Sequence, residues 1–147
     1  MKKRFTIIAP PQSINSMYYG NRAHGKTPAA QDWTRIVCHE LSSPSIKAKL
    51  RELREFFDAE KHAYKLALTF HTPKMFNKQG TISAQSQDLS NIEKGIVDIL
   101  FLESYFSHVE NLNTDDRFLI AMYSQKKYAK TFAIDVAISI VKKPVRP

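Results

Sequence analysis

Residues 87–100 read Gln-Asp-Leu-Ser-Asn-Ile-Glu-Lys-Gly-Ile-Val-Asp-Ile-Leu, and the rest of the chain is organised around them. Apolar residues recur there at steps of three and four, which predicts an amphipathic helix of about four turns. Asn91, Lys94 and Asp98 fall together on the opposite side of that helix. The apolar stripe consists of Leu89, Ile92, Ile96 and Ile99. The segment therefore predicts one packed face and one compact polar face.

The polar residues of this helix have a structural explanation beside the functional one. Ser90 followed by Glu93 fits a capping box, and Asp88 would also serve as a cap. Lys94 and Asp98 have the spacing of an exposed ion pair on a helix. Helix geometry alone leaves both explanations open.

An acidic pair, Asp115 and Asp116, closes the stretch that follows the helix. Because Asn113-Thr114 precedes it, ordinary turn chemistry accounts for the pair. The functional alternative is that these carboxylates complete a polar site with the helix.

Length, charge and cysteine content bound the class of protein. The 147 residues predict one domain, residues 1–147, with a basic tail at 142–147. A net charge of +8 favours a polyanionic partner, and nucleic acid is the commonest one. No apolar run approaches the about 20 residues that span a bilayer, so no membrane association is predicted. The single Cys38 excludes an internal disulfide and suits a reducing cytoplasm.

The remaining periodicities predict an α+β domain with a mixed sheet of about four strands and about three helices on one face. Alternating residues predict strands, and steps of three and four predict helices. The predicted elements are a strand at Arg4–Ile8, a helix opened by Thr27-Pro28 and ended by Ser42-Ser43-Pro44, a helix capped by Ser45 and running to about Lys61, a strand from Tyr64 to Thr72, the helix after Asp88, a strand from Phe118 to Tyr123, a turn at Lys126-Lys127 and a last strand from Phe132 to Ile140.

A polar, glycine-broken loop at 12–26 mixes aromatic residues with cations. Such a mixture is typical of surfaces that contact phosphates and bases. A solvated loop whose tyrosines pack on the core explains it equally well. The candidate DNA-binding residues are Asn15, Tyr18, Tyr19, Arg22 and Lys26.

Elimination leaves an oxygen-rich site as the candidate chemistry. The five histidines fit no zinc spacing, and four glycines in the chain argue against a glycine-rich phosphate loop. Asp88, Asp115 and Asp116, with Lys94 nearby, supply hard carboxylates that select Mg²⁺ or Mn²⁺. Acids that hold a metal, on a basic chain that holds a nucleic-acid backbone, are what a phosphodiesterase needs.

Three segments, taken in order, resemble the RusA family of Holliday-junction resolvases, small endonucleases of phages and prophages. Ile-Ile-Ala-Pro-Pro-Gln-Ser-Ile-Asn-Ser-Met-Tyr-Tyr at 7–19 is similar to the family's opening. Residues 88–100 resemble its signature Asp-x-Asp-Asn-x-x-Lys-x-x-x-Asp-x-Leu, and Asp115-Asp116 resembles the acidic pair that follows. The resemblance implies a homodimer that makes paired nicks in a four-way DNA junction.

By this resemblance, Asp88, Asp115 and Asp116 bind the metal and take part in catalysis with Lys94. Asn91 and Asp98 have supporting roles, as does Ser90. Ser90 is also a departure, because the family motif has an aspartate at that position. A hydroxyl can bind a hard cation or its water but brings no charge. The segment 101–114 is a second departure, since it is longer than in the family.

Two functions follow as expectations. The first is a Mg²⁺-dependent endonuclease that resolves branched DNA. The second is a catalytically weakened protein on the same scaffold, which binds branched DNA or a protein partner without cutting because Ser90 replaces a motif aspartate.

Overall fold

Three α-helices and four β-strands make up the part of the chain that the structure, a computed structural model, describes: residues 1–11, 28–83, 89–101 and 110–147. The strands form one mixed sheet and the helices cover one of its faces, so the predicted α+β fold is confirmed. The elements in order are β1 (Lys2–Ile7), α1 (Pro28–Leu41), α2 (Pro44–Phe56), β2 (His62–Thr72), α3 (Leu89–Phe101), a 3-10 turn (Asp116–Phe118), β3 (Leu119–Tyr128) and β4 (Ala133–Lys142).

The strand order is β1-β4-β2-β3. β4 runs antiparallel to both of its neighbours, whereas β2 and β3 run parallel to each other. A parallel pair needs a long crossover, and here the crossover contains α3. This topology places α3 beside β3, at one side of the sheet.

The core lies between the sheet and the helices. Alternate residues of β1, β2 and β4 point into it, as the period of two requires. Trp33 of α1 closes one end of the core, where its indole Nε1 donates a hydrogen bond of 2.6 Å to the Pro10 carbonyl after β1. The largest fully buried side chains are Tyr64, Phe70, Phe101, Ile7, Leu41, Leu50, Leu53, Leu68, Ile92, Ile96 and Leu100.

The second helix begins and ends earlier than the sequence predicts. Ser43, not Ser45, is its N-cap, and the Ser43 side chain accepts from the Ile46 amide. Pro44 then occupies the first helical position, where its missing N–H costs nothing. The helix stops at Phe56 instead of about Lys61, because Phe57 is already extended.

The third strand is longer than predicted and contains no turn at Lys126-Lys127. Both lysines lie within β3, in parallel register with Phe70 and His71 of β2. β3 is an edge strand, and lysines are common at such edges because they discourage pairing with another chain. The predicted start at Phe118 is also corrected, since that residue ends the 3-10 turn.

The polar connection after β2 contains a small turn in its described part. Phe76 and Ile82 form an isolated antiparallel bridge around it. Asn77 organises the turn, since its side-chain oxygen accepts from the Gln79 and Thr81 amides at 3.0 Å. Gly80 has a φ of 81°, in the left-handed region where a side chain would be strained.

None of the described helices combines the length and the apolar character that crossing a membrane requires. Cys38 is buried in the core.

Candidate functional site

Helix α3 turns its apolar stripe into the core, as predicted, with Ile92, Ile96 and Ile99 buried. Ser90 is the second residue of the helix, so the predicted capping box of Ser90 and Glu93 is wrong. Glu93 instead reaches β3, where its Oε2 accepts a 2.6 Å hydrogen bond from the Ser124 hydroxyl. This bond fixes the rotation of the helix against the sheet.

The segment after α3 is held against the C-terminal end of the helix. The last carbonyls of a helix lack partners within it, and here incoming groups supply them. The Leu112 amide donates to the Leu100 carbonyl at 2.8 Å, and the Thr114 amide donates to the Phe101 carbonyl at 3.2 Å. The buried Asn111 adds a weaker 3.4 Å hydrogen bond from its side-chain nitrogen to the Ile99 carbonyl.

The same asparagine shapes the return of the chain. The Asn111 side-chain oxygen accepts from the Asn113 amide at 2.8 Å, which closes a tight local turn. Asn113 has a φ of 46°, a conformation that asparagine tolerates better than most residues. The turn directs the acidic pair back toward the outer face of α3.

Lys94 lies between two carboxylates that come from different elements. Its Nζ is 2.8 Å from Asp98 Oδ1, one turn further along α3, and 3.6 Å from Asp116 Oδ2 at the start of the 3-10 turn. The predicted ion pair between Lys94 and Asp98 is therefore present. The side chains of Lys94, Asp98 and Asp116 are 34%, 17% and 37% exposed, so a ligand in solvent can reach the group. We call these three residues the lysine–aspartate cluster.

Asp98 is the most enclosed member of the cluster. Its Oδ1 is fully shielded from solvent, and among the described residues it makes no hydrogen bond of good geometry, although Lys94 Nζ is at ion-pair distance. Leaving a buried carboxylate oxygen without a hydrogen bond is costly. Among the described residues, the Lys94 ammonium is therefore the group that balances the charge of this shielded oxygen.

Asp115 has a different local role from its neighbour. Its side chain caps the 3-10 turn, where Oδ1 accepts from the Arg117 amide at 2.8 Å. The predicted turn chemistry is therefore correct for Asp115. The side chain is exposed, and within the described part of the chain it forms no ion pair with Lys94. One carboxylate oxygen of Asp115 remains available for a ligand.

Several predicted site residues lie outside the described residues. They include Asp88, one of the three predicted metal ligands, and the whole candidate DNA-binding set of Asn15, Tyr18, Tyr19, Arg22 and Lys26. Ser90 and Asn91 are described, and both lie on the first turn of α3 with solvent-accessible side chains.

The described residues fit the predicted metal only in part. Aspartate oxygens are suitable ligands for Mg²⁺. However, no group of three or more acids, histidines or cysteines within residues 1–11, 28–83, 89–101 and 110–147 is arranged to hold a metal ion. Asp115 and Asp116 would therefore need Asp88 to complete the predicted set.

Comparisons with known proteins do not assign the chain to a family: no protein-family model matches it, and no curated protein matches it significantly. The interpretation of the site therefore depends on its own geometry and on the sequence motifs.

Two residues that build the site carry no recognisable signal in the sequence. Ser124 is one of many polar residues in the strand region, and only the strand register brings it to Glu93. Asn111 lies in a segment without periodicity, although an asparagine next to a turn is a weak indication of side-chain capping.

Proposed function

We propose that the protein is a Mg²⁺-dependent, structure-selective endonuclease that hydrolyses phosphodiester bonds in branched DNA, four-way junctions above all. The observation that carries the proposal is the convergence of Lys94, Asp98 and Asp116 on a solvent-accessible surface. A lone ion pair on one helix would need no second carboxylate from a distant segment. If the two motifs form one functional site, they should converge. If they are independent caps and turns, nothing requires them to converge.

In this proposal the acidic residues bind the metal and the basic residue attracts the phosphate. The carboxylates of Asp88, Asp115 and Asp116 would hold Mg²⁺, which supplies water activation and stabilisation of the leaving oxygen when bound. Lys94 carries the positive charge that attracts the scissile phosphate. Asp98 positions Lys94 through the 2.8 Å ion pair, and Asn91 lies one turn before it on the same face.

The substrate and assembly belong to the proposal through the resemblance to RusA resolvases. A net charge of +8 favours a polyanion, and the loop at 12–26 offers tyrosines and cations for contacts with the DNA. A homodimer would present two such sites about a two-fold axis, which suits paired nicks in a junction. A cytoplasmic location is part of the same proposal.

The first prediction concerns Asp116. We expect Asp116→Asn to lower junction cleavage by at least about 100-fold, because it removes one carboxylate from the site while keeping its shape. Junction binding should change little, since the substitution only makes the surface more basic. The measurement is cleavage of a labelled four-way junction in Mg²⁺, in Mn²⁺ and in EDTA, with binding followed by fluorescence anisotropy.

The matched control is Asp32→Asn, which removes an exposed acid of α1 that pairs with Arg35. This control should cleave like the unmodified protein. Equal loss in both variants, or full activity in Asp116→Asn, would contradict the site assignment. Nicking of a linear duplex as fast as of the junction would contradict the substrate.

A second candidate function is junction binding without cleavage, on the same scaffold. Two observations favour it: Ser90 stands where the RusA motif has an aspartate, and the described acids do not form a metal-binding group. Ser90→Asp tests it, since a restored carboxylate should then greatly raise cleavage. Cleavage by the unmodified protein at ordinary Mg²⁺ concentrations would exclude this candidate.

A further inference from the structure

The face of the sheet opposite the helices carries a coherent set of side chains that the proposed site does not use. The strand register aligns these side chains in rows across the sheet. We call this surface the open face. Its rows are Lys2, Ser139, Lys65 and Ala121; Arg4, Ala137, Ala67 and Tyr123; Thr6, Asp135, Thr69 and Gln125; and His71 with Lys127.

The open face is positively charged. Lys2, Arg4, Lys65 and Lys127 are exposed, and within the described part of the chain none of them forms an ion pair with an acid. Asp135 is the only acid in these rows. Lys2, Arg4 and Lys65 are therefore available to an anionic ligand, while the charge of Lys127 also acts on Asp135.

The charge of Asp135 is already engaged by its neighbours. Its two carboxylate oxygens accept 2.7 Å hydrogen bonds, one from the Thr6 hydroxyl and one involving His71 Nε2. Burial alone would raise the pKa of Asp135, but these hydrogen bonds, together with the charges of His71 and Lys127, outweigh it and hold the pKa below its usual value. The acid thus stays ionised and bonded within the face, where it repels an approaching anion less than a free carboxylate would.

The centre of the open face is a shallow groove of about 430 Å³. Ala67 and Ala137 form its low floor, with Arg4 at one end of their row and Tyr123 at the other. Three strand spacings of about 4.8 Å separate the Cα atoms of those two end residues, roughly 14 Å in all. Tyr123 pairs with Ala67, which lines the groove, and it is 63% exposed, so a ligand that extends from the groove along this row can reach its ring.

A sheet face that carries several cations and an exposed aromatic ring distinguishes single strands from duplexes. An unpaired base can stack on a tyrosine while its phosphates meet lysines and arginines. In a duplex the base faces are covered by neighbouring base pairs, so the ring would have nothing to stack on. Charge complementarity and the accessible ring therefore favour the same occupant.

We propose that the open face binds single-stranded nucleic acid, with Arg4 and Lys65 on the phosphates and Tyr123 stacked on a base. This binding uses a different surface from the lysine–aspartate cluster, which lies on the helix side of the sheet. It needs no metal and no cleavage, and it goes beyond the proposed nuclease function.

The test is binding of a labelled oligothymidylate of about 15 nucleotides, a length in the range that single-strand-binding domains cover. Fluorescence anisotropy with the full chain should give a salt-dependent affinity higher than that for a duplex of equal length. Tyr123→Ala should weaken single-strand binding at least about fivefold, whereas Tyr123→Phe should keep it, because stacking needs the ring and not the hydroxyl.

The charge contribution is tested by the double variant Arg4→Gln and Lys65→Gln. Its slope of log affinity against log salt should fall by about 1.4, since each lost phosphate contact on a single strand contributes about 0.7. The matched control is Lys47→Gln with Lys78→Gln, which removes two charges from α2 and from the turn after β2. The control should keep a slope close to that of the unmodified protein, because neither lysine lies on the open face.

Three outcomes would overturn the proposal: no single-strand binding, equal weakening by the control pair, or equal affinity for duplex and single strand in every variant. Thermal unfolding shows whether each variant is folded. If Tyr123→Ala does not fold, Tyr123→Phe and the charge variants still test the proposal. Asp116→Asn should leave single-strand binding unchanged. Failure of the nuclease proposal and failure of this one are therefore separate results.

Discussion

Tyr64 buries its whole side chain, hydroxyl included, in the core between β2 and the helices. Its ring stacks on Phe57 at 4.4 Å between centroids and meets the edge of Phe101 at 5.4 Å. The hydroxyl has no hydrogen-bond partner among the described residues, and burial raises its pKa. The aromatic ring contributes packing, while the hydroxyl has been removed from water without compensation.

We therefore expect Tyr64→Phe to raise the free energy of unfolding by about 1 kcal/mol, because it removes an unsatisfied polar group and keeps the ring. Chemical denaturation measures the change. Tyr128→Phe is the control, since Tyr128 is 58% exposed and its hydroxyl is open to water. A marked loss of stability in Tyr64→Phe would show that the hydroxyl is bonded after all.

Glu110 connects the chain after α3 to α2. Its carboxylate oxygens accept hydrogen bonds from Arg51 at 2.9 Å and from Arg54 at 2.5 Å. The Arg51 hydrogen bond is the main cause of a lowered pKa for Glu110, and the nearby charge of Arg54 acts in the same direction against the effect of burial. A lowered pKa in the folded state means that the ionised form stabilises the fold.

Glu110→Gln should lower the free energy of unfolding by about 1–2 kcal/mol near pH 7. The stabilisation is complete above the unfolded pKa of about 4.3 and is lost as pH falls through the lower folded pKa. The difference between the two proteins should therefore shrink near about pH 3. Denaturation at both pH values checks this, with Glu55→Gln, an exposed acid of the same helix α2, as the control. A difference that does not depend on pH would contradict the ion-pair explanation.

At the scale of elements, the N-terminus of α2 offers a direct comparison between two serines. Ser43 caps the helix with its side chain, whereas Ser45 is exposed within the first turn. Ser43→Ala should cost about 1 kcal/mol of stability, because a helix amide loses its acceptor. Ser45→Ala should change stability little or raise it slightly, since alanine is the better helix former. Thermal unfolding of both variants decides the cap, and equal effects would argue against Ser43.

The elements were predictable where local rules decide them. The spacing in α3 predicts both its buried stripe and the Lys94 to Asp98 ion pair, because residues four apart meet on any helix. The extent of β3 was not predictable from its own residues. Lys126 and Lys127 resemble a turn locally, and only the parallel neighbour β2 extends the strand through them.

The candidate site was predictable to a similar degree. The acidic pair and the helix were recognised as separate motifs. Their approach depends on hydrogen bonds that Asn111 and Leu112 donate to the carbonyls of Ile99 and Leu100, and those two carbonyls are far from Asp116 in sequence. The open face is the clearest omission. Its rows exist only through strand register, since Arg4 and Tyr123 belong to opposite ends of the chain.

At the scale of the whole molecule, the two proposed sites lie on opposite sides of one sheet. The helix side holds the lysine–aspartate cluster, and the other side holds the cationic rows around Ala67 and Ala137. If both proposals hold, the protein binds an unpaired strand on the open face while it cleaves DNA at the lysine–aspartate cluster. A branched substrate, which offers duplex arms together with opened strands, could occupy both.

The central position of β4 has a consequence for synthesis. β4 is the last strand in sequence, yet it separates β1 from β2 and pairs with each. Even Met1 is bonded to β4, since the Met1 carbonyl accepts a hydrogen bond from the Ile140 amide. A nascent chain on the ribosome therefore carries β1 without its strand partner, and β2 with one edge unpaired, until residues 133–142 leave the exit tunnel. Protection by a chaperone matters most in that interval, because half-apolar strands with unpaired edges are prone to aggregate.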